Sequence, residues 1–146
     1  MSGGNKTMKI MPANLTVETN GGNDTRDITA SILKKLAESE LQNGIVTVFV
    51  PGSTGGLTTI EYEPGAVEDF SRLLDKIAPD NIPYHHDRRW GDGNGYAHVR
   101  AALVGPSLTI PFMEGRLMLG TWQQVVFVDF DNRPRTRTIV LQFMGE

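Results

Sequence analysis

From Ser107 to the end, the chain reads as strand after strand. Ser107–Phe112, Arg116–Leu119, Gln123–Phe130 and Thr136–Phe143 each carry the alternation or β-branched content of a strand, and Glu114-Gly115 and Asp131-Asn132 supply turn residues between them. This pattern predicts a meander of hairpins. A chain so committed to strands at one end cannot be a helical bundle, and what precedes them must help cover a sheet.

The first two thirds supply that cover. Met8–Glu18 alternates with Pro12 interrupting, which suits an edge strand or two short strands. Gly21-Gly22-Asn23-Asp24 reads as a turn. Thr29 is placed to cap a helix carrying Ile32, Leu33, Leu36, Ala37 and Leu41 on one face, and Asn43-Gly44 is placed to end it. Ile45–Val50 is nearly continuous in apolar residues, as in a strand buried on both faces. Leu57–Glu63 alternates like a strand. A second helix is predicted over Ala66–Ile77, where Val67, Phe70, Leu73, Leu74 and Ile77 share a face. Val99–Val104 reads as a short third helix. The expected fold is therefore α+β: a mixed or antiparallel sheet, two main helices and a short third. Residues 8–146 are expected to form a single domain behind a flexible tail, residues 1–7.

Composition narrows the chemistry. With no cysteine among 146 residues, disulfides, iron–sulfur clusters, thiol catalysis and Cys-ligated zinc are excluded. Lys and Arg (14) are outnumbered by Asp and Glu (17), which disfavours a nucleic-acid partner. No apolar run approaches the length of a membrane span and no signal-peptide pattern opens the chain, so a cytoplasmic setting is expected.

All three histidines, His85, His86 and His98, fall in one Gly-rich stretch with Asp87 and Asp92. Imidazole and carboxylate together suit a divalent metal, zinc first. The same stretch also reads as a polar surface loop. On an extended chain adjacent His85 and His86 point opposite ways, so one of them is expected to face a site. Gly52-Ser53-Thr54-Gly55-Gly56 offers hydroxyls and backbone N–H groups to an anion, or is a plain turn. Glu61 reads either as a solvated strand residue or as a pocket carboxylate. Arg135 and Arg137 share a strand face and could clamp phosphate oxygens or form cross-strand ion pairs. Trp122, at the head of a strand, is expected in the core.

Several motifs together resemble the YjbQ-like family: Trp90-Gly91-Asp92-Gly93-Asn94-Gly95, His98-Val99-Arg100, Gly105-Pro106-Ser107-Leu108, Gly115-Arg116-Leu117, Leu119-Gly120-Thr121-Trp122-Gln123 and the final Gly145-Glu146. The resemblance runs from about Met8 to Glu146. It implies a small α+β fold assembled as a homotrimer. It also implies a secondary thiamine-phosphate synthase activity, which joins a pyrimidine diphosphate to a thiazole phosphate and releases pyrophosphate. Carried over by motif, it marks Glu61, His86, Asp87, His98, Arg116 and Arg137 as catalytic and Thr121, with nearby Arg135, as substrate-binding. Where many members carry His-Thr-Ser, this chain has Gly52-Ser53-Thr54. Ala97 likewise stands where many carry Ser.

The expected ligand is thus a small phosphorylated metabolite. Catalysis of alkyl transfer would need cations and N–H donors on the leaving pyrophosphate, a role open to Arg116, Arg137, Ser53 and Thr54. A metal held by His86 and His98, with Asp87 or Asp92, could assist, and magnesium could accompany the diphosphate. A hydrolase of a phosphorylated metabolite and a non-catalytic phosphate binder are the alternatives.

Overall fold

Strand β8 (Arg135–Gly145) buries alternate residues along its length, and its inward side chains Arg137, Ile139, Leu141 and Phe143 run through the centre of the molecule. In the computed structural model, which describes residues 4–146, β8 pairs on one side with β1 (Lys9–Thr19) and on the other with β3 (Gly44–Phe49). β5 (Ser107–Met113) and the short β6 (Arg116–Leu117) complete a five-stranded sheet in the order β1-β8-β3-β5-β6. A second sheet has the order β2-β7-β4, from Asp24–Asp27, Gln124–Asp129 and Gly55–Ile60. Every strand pairing in both sheets is antiparallel. Four helices accompany them: α1 (Thr29–Ser39), α2 (Pro64–Ile77), α3 (His85–Trp90) and α4 (Gly95–Val104).

The small sheet is the middle layer. Val125 and Phe127 of β7 join a core with Ile32 and Leu36 of α1 and with Val46, Phe112, Leu141 and Phe143 of the large sheet. The intervening Val126 and Val128 face a second core with Leu74 of α2 and Tyr96, Ala97 and Ala101 of α4. β7 is therefore the strand buried on both faces. β3, expected in that role, alternates: Val46 and Val48 are inside, while Ile45 and Phe49 are 40% and 42% exposed.

Other boundaries differ from the sequence reading for local reasons. Ile28, not Thr29, occupies the start of α1. Asp27 Oδ1 accepts from the Thr29 N–H at 3.0 Å, and Thr29 Oγ1 accepts from the Val125 N–H at 2.8 Å. α1 ends on Glu40 in the left-handed conformation, which frees Asn43-Gly44 to open β3. α2 begins before Ala66: the Glu63 carboxylate accepts from the Gly65 and Ala66 N–H groups, and Pro64 fits the first turn. β1 is one continuous strand, since at a sheet edge Pro12 breaks no ladder. The expected meander is only the β5–β6 hairpin; the chain then crosses to the other sheet for β7 and returns for β8. Of the expected tail, residues 1–3 lie outside the described residues, and residues 4–7 are exposed without regular structure. No described helix is long and apolar enough to cross a membrane.

Where β3 crosses β8, Gly44 lies opposite Gly145 with the backbones nearly touching. A Cβ on Gly44 would run into the Met144 carbonyl and sit 2.7 Å from Gly145 Cα. Gly44→Ala should therefore destabilise the fold by about 1–3 kcal/mol, read from urea melts. An unchanged melt would contradict this register.

Candidate functional site

The site grows from the ends of β7 and β8. Asp129 closes β7 and Arg137 lies two residues into β8. Both are buried, and they form a two-pronged ion pair: Arg137 Nε donates to Asp129 Oδ2 and Nη2 to Oδ1, each at 2.8 Å. Nη2 also donates to Thr54 Oγ1 at 2.7 Å, and Thr19 Oγ1 donates to Asp129 Oδ2. One residue pair outward, Asp131 accepts from Arg135 Nη1 at 2.6 Å, Asn94 Nδ2 at 3.1 Å, Thr54 Oγ1 at 3.2 Å and the Asn132 N–H at 2.8 Å. Burial pushes both carboxyls up, but these donors and the arginine charges overcome it and hold each below the usual Asp range. The Arg137 guanidinium is in turn held above its ordinary value, chiefly by its hydrogen bonds to Asp129.

Arg137 keeps one nitrogen in reserve. Nη1 has no hydrogen-bond partner among the described residues, although the side chain is only 5% exposed. It faces the loop before β4, where Gly52, at φ +118°, would place a Cβ 3.5 Å from it. With no side chain there, the donor opens onto a cavity of about 440 Å³. Ser53, Thr54, Asn94, His98 and Arg133 share its lining with Arg137. Asn94 Oδ1 is buried beside it without a partner.

The histidines gather on the same side. α3 and α4 bring His86 and His98 together with ring centroids 4.1 Å apart and planes at 44°. His86 Nε2 is buried without a hydrogen bond and stands 3.3 Å from Asp92 Oδ1. Burial, and then the neighbouring His86, push the His98 imidazole below its ordinary pKa, with Asp92 pulling weakly the other way. His98 is therefore neutral near pH 7 and free to accept or pass a proton. His85 is exposed on α3 and His86 is half-buried against His98, so the adjacent pair diverges through helical rather than extended geometry.

Other expected site residues lie elsewhere. Asp87 Oδ1 accepts from the Gly95 N–H at 2.8 Å and so fixes the start of α4. Arg116 is exposed on the β5–β6 hairpin, paired with Glu114. Glu61 is exposed just beyond β4, and Thr121 lies in the exposed turn before β7. Trp122, expected in the core, is 70% exposed because the chain there is crossing between sheets. Among the described residues, no three His, Asp or Glu side chains are arranged to hold one ion. The unpartnered His86 Nε2 beside Asp92 offers two metal donors at most, with His98 adjacent. A groove of similar volume between β4 and β5 carries no titratable side chain and offers no comparable chemistry.

The sequence reading missed Asp129, Asp131 and Asn94. A signal existed: Asp129 and Asp131 repeat at period two just before Arg135 and Arg137 do the same, so the two pairs can face each other across the reversal.

The sequence profile of the UPF0047 YjbQ-like proteins matches residues 13–146. A UPF0047 protein of Archaeoglobus fulgidus is 38% identical over 128 residues, covering 88% of this chain and 97% of the relative. The UPF0047 protein YugU of Bacillus subtilis is 34% identical over 133 residues, covering 90% of this chain and 97% of the relative. Among solved structures, a YbjQ-like protein of unknown function from Sulfolobus solfataricus superposes with a TM-score of 0.90 at 29% identity, covering 96% of this chain and all (100%) of that one. A hypothetical protein from Aeropyrum pernix gives 0.86 at 32% identity, covering 93% and 99%.

The buried pairs set a pH dependence. Asp129 and Asp131 titrate lower in the folded than in the unfolded chain. Their stabilisation is complete above the unfolded Asp value, about 3.9, and is lost as pH falls through the folded values. Arg137→Met strands Asp129 and should cost about 3–5 kcal/mol at pH 7. It should also shrink or reverse the acid-induced loss. Urea melts from pH 7 to pH 3 check both, and an acid dependence as steep as in the parent chain would contradict the assignment.

Proposed function

Because this chain belongs to the UPF0047 family of YjbQ-like proteins, we propose that its cavity binds the phosphate end of a small metabolite. We further propose that the reaction is the pyrophosphate-releasing alkyl transfer that its motifs imply. The observation that carries this reading is Arg137 Nη1: an unpaired donor on an otherwise buried guanidinium, opening onto a cavity beside the Ser53 loop. Arg135 and Arg137 are already balanced by Asp131 and Asp129, while Arg133 has no ion-pair partner among the described residues. Asp92 lines the cavity as well, so what the cavity offers a departing pyrophosphate is directed N–H donors from Arg137 and an arginine, Arg133, not already committed to a carboxylate.

In that reaction the carbon–oxygen bond to the diphosphate breaks and the leaving group takes the electron pair. A ring nitrogen of the second substrate then attacks the cation-like carbon. Arg137 and Arg133 bind and orient the leaving group. His98, neutral and at the cavity wall, is the group able to exchange a proton with it.

A divalent ion is part of the proposal. Magnesium would suit a diphosphate, whereas for zinc His86 and Asp92 would supply only two of the donors it needs, with His98 adjacent. When bound, either would neutralise phosphate charge. Asp87 spends Oδ1 on the Gly95 N–H, which leaves Oδ2 as its remaining donor.

The trimer is likewise proposed. Support comes from the outer face of the large sheet, where Ile10, Met144, Ile45 and Pro111 form one row across four strands in register. Ile10, Ile45 and Met144 are 59%, 40% and 38% exposed. Such a row is better covered than left in water. A second copy seated there would also explain why Arg116 and Thr121 lie apart from the cavity of their own chain. A cytoplasmic setting completes the proposal.

Two measurements follow. Purified protein mixed with the pyrimidine diphosphate and thiazole phosphate should form thiamine phosphate and pyrophosphate; no turnover above a His98→Ala control rejects the reaction. Light scattering should give three times the chain mass, and Ile45→Lys should lower it. A monomer at micromolar concentration contradicts the assembly.

A further inference from the structure

The cavity that receives Arg137 Nη1 takes its donors and its acceptors from different stretches of chain. Arg137 and Arg133 bring N–H groups from β8 and the turn before it. Asp92 and Asn94 bring oxygens from the loop between α3 and α4. The backbone sets Asp92 in place. Gly91 and Gly93, at φ +70° and +68°, turn the chain on either side of it, and Asn132 Nδ2 donates to its carbonyl at 2.9 Å. The Asp92 carboxylate accepts no hydrogen bond among the described residues; His86 Nε2 stands 3.3 Å away and is unbonded. Asn94 has the same polarity. Its Nδ2 must face Asp131, because that carboxyl is held ionised and can only accept. Oδ1 is thereby turned away from Asp131, on a side chain buried to all but 8%, and has no partner. With its amide N–H already spent, Asn94 cannot offset the charge of Asp92.

A bare oxyanion is a poor match for such a lining. Its oxygens suit Arg137 and Arg133, but against Asp92 they set acceptor on acceptor and charge on like charge. One proton on the anion removes the conflict. We propose that the cavity takes phosphate in a proton-bearing form, with the P–O–H group donating to the Asp92 carboxylate, and that Asp92 therefore distinguishes phosphate from sulfate. This rests on the phosphate reading above and requires nothing of the organic part of the ligand. Arg137 and Arg133 hold the anion, and Asp92 selects its protonation state.

Calorimetric titration of the full chain with inorganic phosphate, sulfate and monofluorophosphate tests this, at about pH 8 and with EDTA present so that no divalent ion bridges Asp92 to the anion. All three are then mainly dianions of similar size, and phosphate alone keeps a proton. Phosphate should bind at least about tenfold tighter than either of the others. In Asp92→Asn the amide can turn an N–H toward the anion, so sulfate and monofluorophosphate should gain and the ratio should fall to about one. That side chain is 48% exposed and the change is isosteric, and a thermal melt verifies folding. The wild-type series carries the test if the variant does not fold. Sulfate or monofluorophosphate as tight as phosphate, or a folded Asp92→Asn with its ratio unchanged, overturns the inference and leaves the anion site standing. Failure of all three anions to bind overturns the phosphate reading itself.

Discussion

The Asp129–Arg137 ion pair joins the two sheets, and the cavity is a consequence of that joint. Asp129 ends a strand of the small sheet and Arg137 lies in β8 of the large one, so neither can move without displacing its layer. Burying two charges is costly unless every lone pair and proton is answered. Thr19 and the Asp131 N–H answer those of Asp129, and Thr54 Oγ1 accepts from Arg137 Nη2. The Arg137 side alone is left incomplete, and its spare N–H group points at the cavity. A purely structural ion pair gains nothing from such an omission, whereas a binding site does.

The same economy explains the second ring of groups. Asp131 is satisfied by Arg135, Asn94, Thr54 and Asn132, which come from a strand, a helix start, a loop and a turn. Four chain segments are thereby fixed around one carboxylate, and the cavity they enclose keeps its shape without a ligand. His98 enters from α4, whose first residue is itself held by Asp87. The net charge of -3 says little about such a place, because compensation here is local, with Arg133, Arg135 and Arg137 set among Asp92, Asp129 and Asp131.

Much of this could be read from the chain. Alternation in β8 and the helical face of α2 located those elements within a residue or two. Ser53, Thr54, Asp92, His98, Arg135 and Arg137 were singled out from residue type and spacing, and they line one cavity. What stayed hidden has physical causes. β2, Asp-Thr-Arg-Asp, has no apolar residue to show a period, and α3 is too short to show one. Alternation identifies a strand but not its partner, so the hairpin meander was the wrong topology for β7. Asp129 and Asp131 were hidden by their turn-like neighbourhood, since a buried carboxylate is recognisable only with its cation across from it. Motif likeness placed Glu61, Arg116 and Thr121 in the site, but motif order carries no distance, and in one chain they stand away from it.

A crystal structure of the protein with pyrophosphate is the most direct test of the central claim, that the cavity is built around an unfinished arginine. The account predicts a phosphate oxygen within about 2.7–3.2 Å of Arg137 Nη1, with the Asp129–Arg137 pair intact and Arg133 turned toward the anion. Pyrophosphate held in another groove, with Arg137 Nη1 facing only protein or solvent, would contradict it.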